Sequence, residues 1–419
     1  MQTNLAGFIK DTPEGREAEA ILRKCVHCGF CTATCPTYQL LGDELDGPRG
    51  RIYLIKQVLE GQKATARTRL HLDRCLTCRA CETTCPSGVE YGRLADIGRY
   101  VVEQQVPRTG SDRVLRGALR EFVPRTGLFG SAMSLGRVFK PLLPRALSAK
   151  VPAAAAAGVW PAPRHARRML VLAGCVQPAM RPSINAATAR VLDVLGISLI
   201  EAAGAGCCGA VRFHLQDHDG GRADARRNVD AWWPEIAAGR VEAIVVTASG
   251  CGVQVKDYAH LLKDDPAYAA KAARVAGLAR DPAEIVAAGA ERLKAVLAQR
   301  AVTRPRQRIA FQSPCSLQHG QRIRGVVEGL LEAAGYELAA VADAHLCCGS
   351  AGTYSILQPE LSGRLRANKL AALTAKGAER IASANIGCIE HLSGATELPI
   401  QHWIELIDEK ITDDVRKSG

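Results

Sequence analysis

The fold of the N-terminal part of the chain is decided by the stretch Cys25-Val26-His27-Cys28-Gly29-Phe30-Cys31-Thr32-Ala33-Thr34-Cys35-Pro36. Its cysteines have the spacing C-x2-C-x2-C-x3-C, followed by a proline. Two-residue gaps in a tight loop direct three thiolates to one side, and the proline turns the chain so that the fourth thiolate faces away. The same spacing returns at Cys75, Cys78, Cys81, Cys85 and Pro86.

This spacing is that of bacterial two-cluster ferredoxins, in which the fourth cysteine of each run binds the other [4Fe-4S] cluster. Thiolate is the soft ligand that iron–sulfur clusters require. A pair of zinc ribbons is the alternative. A zinc site needs only four ligands, so the additional cysteine spacing and the Cys-Pro of both runs would have no function there. The spacing predicts a first [4Fe-4S] cluster on Cys25, Cys28, Cys31 and Cys85, and a second on Cys75, Cys78, Cys81 and Cys35.

The composition indicates a globular protein that keeps its cysteines reduced. The chain has 419 residues, of which 47% are hydrophobic and 16 are cysteines. Disulfide scaffolds are typical of small secreted proteins, whereas this chain is long and begins with a polar stretch that lacks the apolar core of a signal peptide. We therefore expect a cytoplasmic protein whose thiols bind metal. No run approaches the about 20 apolar residues of a transmembrane helix, so a membrane contact is expected only from the cytoplasmic surface.

Helix signals surround the two cysteine runs. Thr12, Pro13 and Glu14 are a capping residue, a proline and an acid, which predict a helix that ends at Lys24. Apolar residues at helical spacing predict further helices over 52–60, from about residue 71 to the second run, and over 94–102. Residues 1–106 are thus expected to form a small helical module that holds two clusters.

Most of the excess positive charge lies in one segment. The net charge is +12, and residues 107–168 contain twelve Lys or Arg, two acids and seven prolines. We interpret this segment as a connector. Its apolar residues recur at helical spacing between arginines, which suits an anionic membrane surface or a partner subunit. Packing on the protein's own domains is the alternative. The apolar residues are Leu115, Leu119, Phe122, Leu135, Val138, Phe139 and Leu142.

From Met169 onward, short β-like runs alternate with helical stretches, and the pattern occurs twice. Alternation of this kind predicts parallel α/β layers with cysteines on loops at the strand ends. The predicted modules are 169–300 and 301–419, joined by one long helix over 282–299. Strands are expected at 169–173, 198–201, 243–247, 309–311, 337–341 and 380–384, and helices near 185–195, 223–233, 321–334 and 360–373. The whole chain is thus predicted to be an α+β multidomain protein.

Each C-terminal module supplies four further cysteines. In both modules a Cys-Cys-Gly sequence follows the first cysteine at a distance of 32 positions. A single cysteine is most often a buried structural residue. The repeat of the same four-cysteine pattern favours metal or cluster binding over inert thiols. Cysteine ligands suit both zinc and iron–sulfur clusters, and the spacing leaves these two open. The candidate ligands are Cys175, Cys207, Cys208, Cys251, Cys315, Cys347, Cys348 and Cys388.

The sequence contains no recognisable motif of a nucleotide-binding or catalytic site for an organic substrate. Gly204-Ala205-Gly206 runs into cysteines rather than into a dinucleotide-binding helix, and there is no G-x-S-x-G elbow or phosphate loop. No DNA-binding motif is present either, so nucleic acid is not an expected partner. We predict no catalytic residue in this chain and place the organic chemistry on another polypeptide.

The chain resembles the iron–sulfur subunits of glycolate oxidases (glycolate dehydrogenases) over essentially its whole length. The resemblance is carried by the paired cysteine runs, by Gly47-Pro48-Arg49-Gly50-Arg51 between them, and by the two Cys-Cys-Gly modules. More widely, the chain is similar to the iron–sulfur subunits of heterodisulfide reductases and anaerobic glycerol-3-phosphate dehydrogenases. In the full motif of these proteins each module ends in C-x-x-C, and here Ala248 and Asn385 replace the first of those cysteines.

The resemblance implies a complex in which FAD-containing subunits oxidise glycolate to glyoxylate. This chain would relay the electrons toward a membrane acceptor, quinone being the expected one. An equivalent subunit of a lactate or glycerol-3-phosphate dehydrogenase complex is the first alternative. A redox-sensing or scaffold protein that uses its clusters structurally is the second.

Overall fold

The computed structural model describes residues 1–142, 151–299 and 306–412. A helical N-terminal layer is followed by two four-stranded parallel sheets, each with helices packed on it. The predicted fold class is confirmed, since a helical cysteine-loop region precedes two α/β modules. The boundaries placed after residues 106, 168 and 300 stay predictions. Pro144, Arg145 and Lys150 of the predicted connector lie outside the described residues.

Short helices alternate with the cysteine loops in the N-terminal layer. The first helix begins as predicted, because the Thr12 hydroxyl accepts a hydrogen bond from the Gly15 N–H at 3.0 Å and Pro13 stands at the first helical position. The helices are Pro13–Lys24, Pro36–Leu41, Pro48–Leu59, Ala66–Asp73, Ala80–Thr84 and Tyr91–Gln105, with 3₁₀ turns at Phe30–Thr32 and Glu44–Asp46.

Three of these helices begin earlier than predicted, one of them being Tyr91–Gln105, which was expected over 94–102. The helix expected from residue 52 begins at Pro48, whose ring presets the backbone for the first helical position. The helix expected from about residue 71 begins at Ala66, where Thr65 and Thr68 cap each other reciprocally. In these last two cases the apolar periodicity starts later than the capping signal.

The predicted connector is helical over Gly110–Phe122 and Thr126–Val138, followed by a 3₁₀ turn at Lys140–Leu142. Several of its charges are paired with the chain's own acids. Arg108 contacts Asp73 at 2.8 Å, and Arg116 contacts Asp112 at 3.0 Å. Within the described residues no helix is both long enough and apolar enough to span a membrane.

The two sheets have the same strand order. The strands are β1 Arg167–Val171, β2 Ile197–Glu201, β3 Ile244–Val245, β4 Ala279–Arg280, β5 Arg308–Gln312, β6 Glu337–Leu338, β7 Arg380–Ser383 and β8 Ile400–His402. The first sheet is ordered β2-β1-β3-β4 and the second β6-β5-β7-β8, with all neighbours parallel. The short fourth strands, β4 and β8, were not predicted, because two or three residues carry too little pattern.

Three predicted helices of this part have different bounds, and the one expected near 223–233 is longer, His218–Ala237. The long helix expected over 282–299 is two helices that meet at Gly289, and the helix expected from residue 321 begins only after Gly325, which has a left-handed φ of +71°. The first module's helices are Gln177–Met180, Ser183–Val194, Ala210–His214, His218–Ala237, Ser249–Lys256, Tyr258–Leu261, Ala269–Leu278, Pro282–Ala288 and Ala290–Gln299. The second module's are a π-helical turn Ser316–Gly320, then Val326–Ala333, Tyr354–Leu357, Pro359–Thr374, Ile386–Ser393 and Trp403–Thr412.

One hydrophobic core spans both modules. Ile184 and Leu192 of the first module belong to the same buried cluster as Trp403 and Ile407 of the second. The helices that carry them, Ser183–Val194 and Trp403–Thr412, pack on each other and are further joined by an ion pair between Arg190 and Asp408 at 2.6 Å. The shared core fixes the two rows of strand-end cysteines relative to each other.

The helix Pro48–Leu59 crosses Tyr91–Gln105 at a glycine. A Cβ atom on Gly98 would lie 2.5 Å from Ile55 Cγ1, and Ile55 is fully buried. Gly98→Val should therefore lower the free energy of unfolding by about 2 kcal/mol, measured as a fall in melting temperature. Gly117→Ala is the matched control, because nothing lies within 4 Å of its new Cβ and helix propensity favours alanine by about 1 kcal/mol. Equal melting temperatures for the two variants would contradict this packing.

Candidate cluster-binding sites

The two N-terminal cysteine loops have the same backbone conformation. Left-handed φ angles occur at His27 and Gly29 in the first loop, and at Thr77 and Arg79 in the second. Arg79 adopts this uncommon conformation while its guanidinium pairs with Glu82 at 2.9 Å. The last cysteine of each loop is extended, and its N–H bonds back to the carbonyl three residues earlier. The repeated spacing thus produces a repeated fold of the loop.

Two adjacent cavities receive the eight thiols. Pro48, Cys81 and Tyr91 line both cavities and separate them. The first cavity is also lined by Cys25, Cys28, Cys31 and Cys85, and the second by Cys35, Cys75 and Cys78. Each cavity therefore contains the four cysteines predicted for one cluster, including the fourth cysteine of the opposite run.

The surroundings of both cavities fit a group that carries sulfur acceptors. The Nε2 atom of His27 is buried without a hydrogen-bond partner beside the first cavity, and the Tyr91 hydroxyl, which lies between the two cavities, hydrogen-bonds to the Cys75 thiol. Buried polar atoms are normally paired, so an unpaired donor beside a cavity indicates a missing acceptor. Burial raises the pKa of the Cys31 thiol to about 11, and thiolate ligation of a metal releases that proton.

A buried polar network lies behind the second cavity. Arg51 is 1% exposed and donates to the His71 carbonyl at 2.7 Å and to the Thr37 hydroxyl at 3.1 Å. The Thr37 hydroxyl is in turn 3.3 Å from Cys35 Sγ. Although burial opposes ionisation, the guanidiniums of Arg51 and Arg99 hold the pKa of the Cys75 thiol below its ordinary value.

The four cysteines of the first C-terminal module converge at the carboxyl edge of its sheet. Cys175 follows β1, the Cys207–Cys208 pair follows β2, and Cys251 lies in the first turn of the helix after β3. The Cys207 thiol accepts hydrogen bonds from Cys175 and Cys208, which lowers its pKa. The pKa values of Cys175 and Cys208 are raised by the same contacts.

The second module repeats this arrangement with Cys315, Cys347, Cys348 and Cys388. Cys315 Sγ lies 3.8 Å from Cys347 Sγ, and the contacts continue from Cys347 to Cys348 and from Cys348 to Cys388. Parallel strands bring all their carboxyl ends to one edge, so thiols far apart in sequence meet there. Both sets fit the tetrahedral thiolate sites that zinc and iron–sulfur clusters use.

The positions of the two replaced cysteines lie where the modules meet. The Gly250 N–H donates to Asn385 Oδ1 at 3.3 Å, and the Ser249 N–H donates to the carbonyl of Ala384 at 3.1 Å. Asn385 Nδ2 also lies 3.5 Å from Cys388 Sγ. Ala248 and Asn385 thus cap helices at the module interface while four thiols remain in each site.

The second module's thiols lie directly against the second N-terminal cavity. Cys78 packs in the same cluster as Leu76, Cys315 and Cys347. The Tyr354 hydroxyl donates to the Arg74 carbonyl at 3.1 Å across this contact. The first module contacts the N-terminal layer through charged groups instead, with Arg93 2.9 Å from Asp257 and His260 2.8 Å from Glu17.

Comparison with known proteins agrees with this geometry. Residues 21–89 match the 4Fe-4S dicluster domain family, and residues 169–256 and 309–393 match the cysteine-rich domain family. The chain is 53% identical to the glycolate oxidase iron-sulfur subunit of Escherichia coli (strain K12), over 98% of this chain and 99% of that protein. The chain belongs to the glycolate oxidase iron–sulfur subunit family. The predicted resemblance is confirmed, and the dicluster domain supports the predicted [4Fe-4S] clusters.

Two further relatives have lower identity to this glycolate oxidase iron–sulfur subunit family member. A probable glycolate oxidase iron-sulfur subunit of Bacillus subtilis (strain 168) is 31% identical over 91% of this chain and 90% of that protein. Lactate utilization protein A of Bacillus velezensis is 27% identical over 56% of this chain and 97% of that protein. The glycolate oxidase relatives therefore cover the whole architecture, whereas the lactate relative covers about half of it.

Sequence reasoning missed the residues that surround the thiols. Tyr91 was not singled out, since one tyrosine at the start of a helix carries no pattern. Arg51 stood in the Gly-Pro-Arg-Gly-Arg motif, which was noted only as a point of resemblance. Thr37 and Arg99 had no signal, because their proximity to the second cavity depends on how the helices pack.

The Cys-Cys-Gly turns depend on their glycines. Gly349 has a φ of +89°, and a Cβ there would lie 2.7 Å from the Ser362 carbonyl oxygen. Gly349→Ala should destabilise the protein by about 2 kcal/mol more than Gly352→Ala and should lower the metal content of the second module. Gly352 is the matched control, because its φ is +61° with nothing within 4 Å. Melting temperature and metal analysis measure both effects; equal losses in the two variants would disprove the role of the turn.

Proposed function

We propose that this chain is the iron–sulfur electron-transfer subunit of a glycolate-oxidising complex. In this proposal, FAD-containing subunits oxidise glycolate to glyoxylate and the chain passes the electrons toward a quinone in the membrane. The observation that carries the proposal is the near full-length identity to a glycolate oxidase iron-sulfur subunit, together with two adjacent cavities lined by the eight cysteines of a dicluster domain.

The proposed ligands follow the crossed pattern of the two runs. The first cluster is assigned to Cys25, Cys28, Cys31 and Cys85, and the second to Cys75, Cys78, Cys81 and Cys35. A bound [4Fe-4S] cluster takes up and releases one electron at a time, which suits a flavin that gives up its electrons singly. The protein contributes the thiolates, the buried donors Tyr91 and His27, and the apolar walls that limit access of water.

One end of the cavity pair is open to a partner. Cys28 is exposed, and its neighbours Val26 and Phe30 are 68% and 60% exposed. Exposed apolar side chains around a metal-binding loop are typical of a surface that another protein covers. The opposite end is closed by the second module at Cys315 and Cys347. The eight C-terminal cysteines are proposed as two further metal sites, for clusters or zinc.

Glycolate is favoured over the alternative substrates because the glycolate oxidase relatives align with a larger share of this chain. The two glycolate oxidase relatives align over at least nine-tenths of their length and of this chain, whereas the lactate utilization relative aligns to 56% of it. A scaffold or sensor role has no comparable support. We therefore retain a lactate or glycerol-3-phosphate complex only as the second candidate.

The relay is tested by Cys78→Ala in the assembled complex. Loss of one ligand from the second cavity should abolish glycolate-dependent reduction of an external acceptor while leaving reduction of the partner's flavin by glycolate intact. Flavin absorbance and acceptor reduction are followed in the same sample. Iron and acid-labile sulfide analysis supplies the control, since two N-terminal clusters amount to about eight irons. Unchanged acceptor turnover in the variant would refute the relay.

We also propose a peripheral contact with an anionic membrane through residues 126–142. Leu128, Leu135 and Val138 lie on one side of the helix Thr126–Val138 and are exposed, and the stripe continues at Phe139 and Leu142. An apolar stripe next to basic side chains is the pattern of helices that lie in a membrane interface. Its basic neighbours within the described residues include Arg125 and Lys140.

Vesicle sedimentation tests this contact. The full chain should sediment with anionic vesicles at low salt, and binding should weaken as salt screens the charges. Leu135→Gln combined with Val138→Gln should reduce the bound fraction, while neutral vesicles serve as the control for charge. Absence of binding to anionic vesicles at low salt would exclude the membrane contact without affecting the relay.

A further inference from the structure

Two arginines of one short motif face different cavities. Pro48, Arg49 and Arg51 lie at the start of the helix Pro48–Leu59. Pro48 lines both cavities, whereas Arg49 lines only the first and Arg51 only the second. The two guanidiniums are therefore two residues apart in sequence but belong to different candidate clusters.

Arg49 is exposed to water and is neutralised by a neighbour. Its Nε donates to Glu44 Oε1 at 2.6 Å, and both side chains are more than one-third exposed. Water and the carboxylate screen its charge from the first cavity. The field of Arg49 at the first cluster is accordingly weak.

Arg51 is in the opposite situation. It is buried, and its only carboxylate contact among the described residues is Asp46 Oδ1 at 3.4 Å. Asp46 is shared, since Arg74 contacts its other oxygen at 2.8 Å and His71 Nδ1 lies 3.1 Å from Oδ1. Asp43 brings a second carboxylate oxygen within 4.8 Å of Asp46 and His71. Two carboxylates thus face the guanidiniums of Arg51 and Arg74, and Arg51 is the fully buried cation that lines the second cavity.

A third guanidinium adds to this charge. Arg99 donates to the carbonyls of Cys75 at 2.6 Å and Leu72 at 2.8 Å, and to the Thr77 hydroxyl at 2.8 Å. These partners are neutral, so the charge of Arg99 is retained beside the loop that carries Cys75 and Cys78. The second cavity therefore lies in a buried positive environment that the first one lacks.

We propose that Arg51 sets the reduction potential of the second cluster by holding a buried positive charge beside it. The proposal rests on the ligand assignment given above. Reduction adds one negative charge to a cluster, and a nearby cation in a medium of low dielectric constant stabilises the added charge. Arg51 therefore raises the potential of the second cluster, with Arg99 acting in the same direction.

The position of Arg51 gives the relay a direction. An electron that entered at the exposed loop around Cys28 would be drawn inward toward the site of Cys35, Cys75, Cys78 and Cys81. That site lies against Cys315 and Cys347 of the second module. The two C-terminal modules are thus unequal, because only the second one has its thiols packed on Cys78 among the described residues.

The experiment is a redox titration of the purified full-length chain, followed by electron paramagnetic resonance. Arg51→Gln should lower the potential of one of the two reduction steps. The expected change is about tenfold in the equilibrium constant of that step, which is about 59 mV for a one-electron couple. Cys35→Ser, which alters one ligand of the second cluster only, identifies the step. Arg51→Lys keeps the charge and should leave the potential close to that of the parent.

Arg49→Gln is the matched control, and it should shift neither step by as much as threefold. If Arg51→Gln retains the iron content of the parent chain and its second step is unchanged, or if Arg49→Gln shifts a step equally, the proposal is wrong. If Arg51→Gln fails to assemble clusters, Arg99→Gln replaces it with the same expected direction. A parent chain without two N-terminal clusters would instead overturn the proposed function itself.

Discussion

The packing of the helix Pro48–Leu59 against Tyr91–Gln105 is the contact on which the N-terminal sites depend. It is possible only because Gly98 leaves room for Ile55. The first helix starts between the two cysteine loops and the second starts at Tyr91, so their crossing fixes the wall that the two cavities share. A close-packed interior transmits a change at this crossing to both sites. Two short loops with no sheet of their own are held in register by a single helix pair.

In the C-terminal half, four thiols per module, three of them buried, come together without the loop found in the N-terminal runs. Parallel strands make this possible, because their carboxyl ends and the loops that follow all lie at one edge of a sheet. The shared core between Ser183–Val194 and Trp403–Thr412 then fixes the two edges relative to each other. Among the described residues only the second module's edge packs on Cys78, so the two similar modules have different surroundings.

The sequence predicted the elements that have a strong local signal. The first helix, the eight N-terminal cysteines and the repeated strand–cysteine pattern were all read from spacing and capping residues. Gly289, Gly325 and the capping pair at Thr65 and Thr68 moved helix ends, because periodicity marks the middle of a helix better than its ends. The strands β4 and β8 were too short to be seen. The positive charge of residues 107–168 is visible in the sequence, but the pairing of Arg108 with Asp73 required the fold.

The sequence by itself determined the ligand chemistry and the family, because the spacing within about ten residues of chain constrains three thiolates of each loop, and the repeat of that spacing supplies the fourth. Only the tertiary structure decided which charges lie beside each site and which module adjoins the second cavity. The sequence gives no reason to assign different roles to Arg49 and Arg51, which are two residues apart in the same motif. One is screened by water and Glu44 and the other is enclosed by His71, Thr37 and Asp46, since burial is a property of long-range packing and not of local sequence.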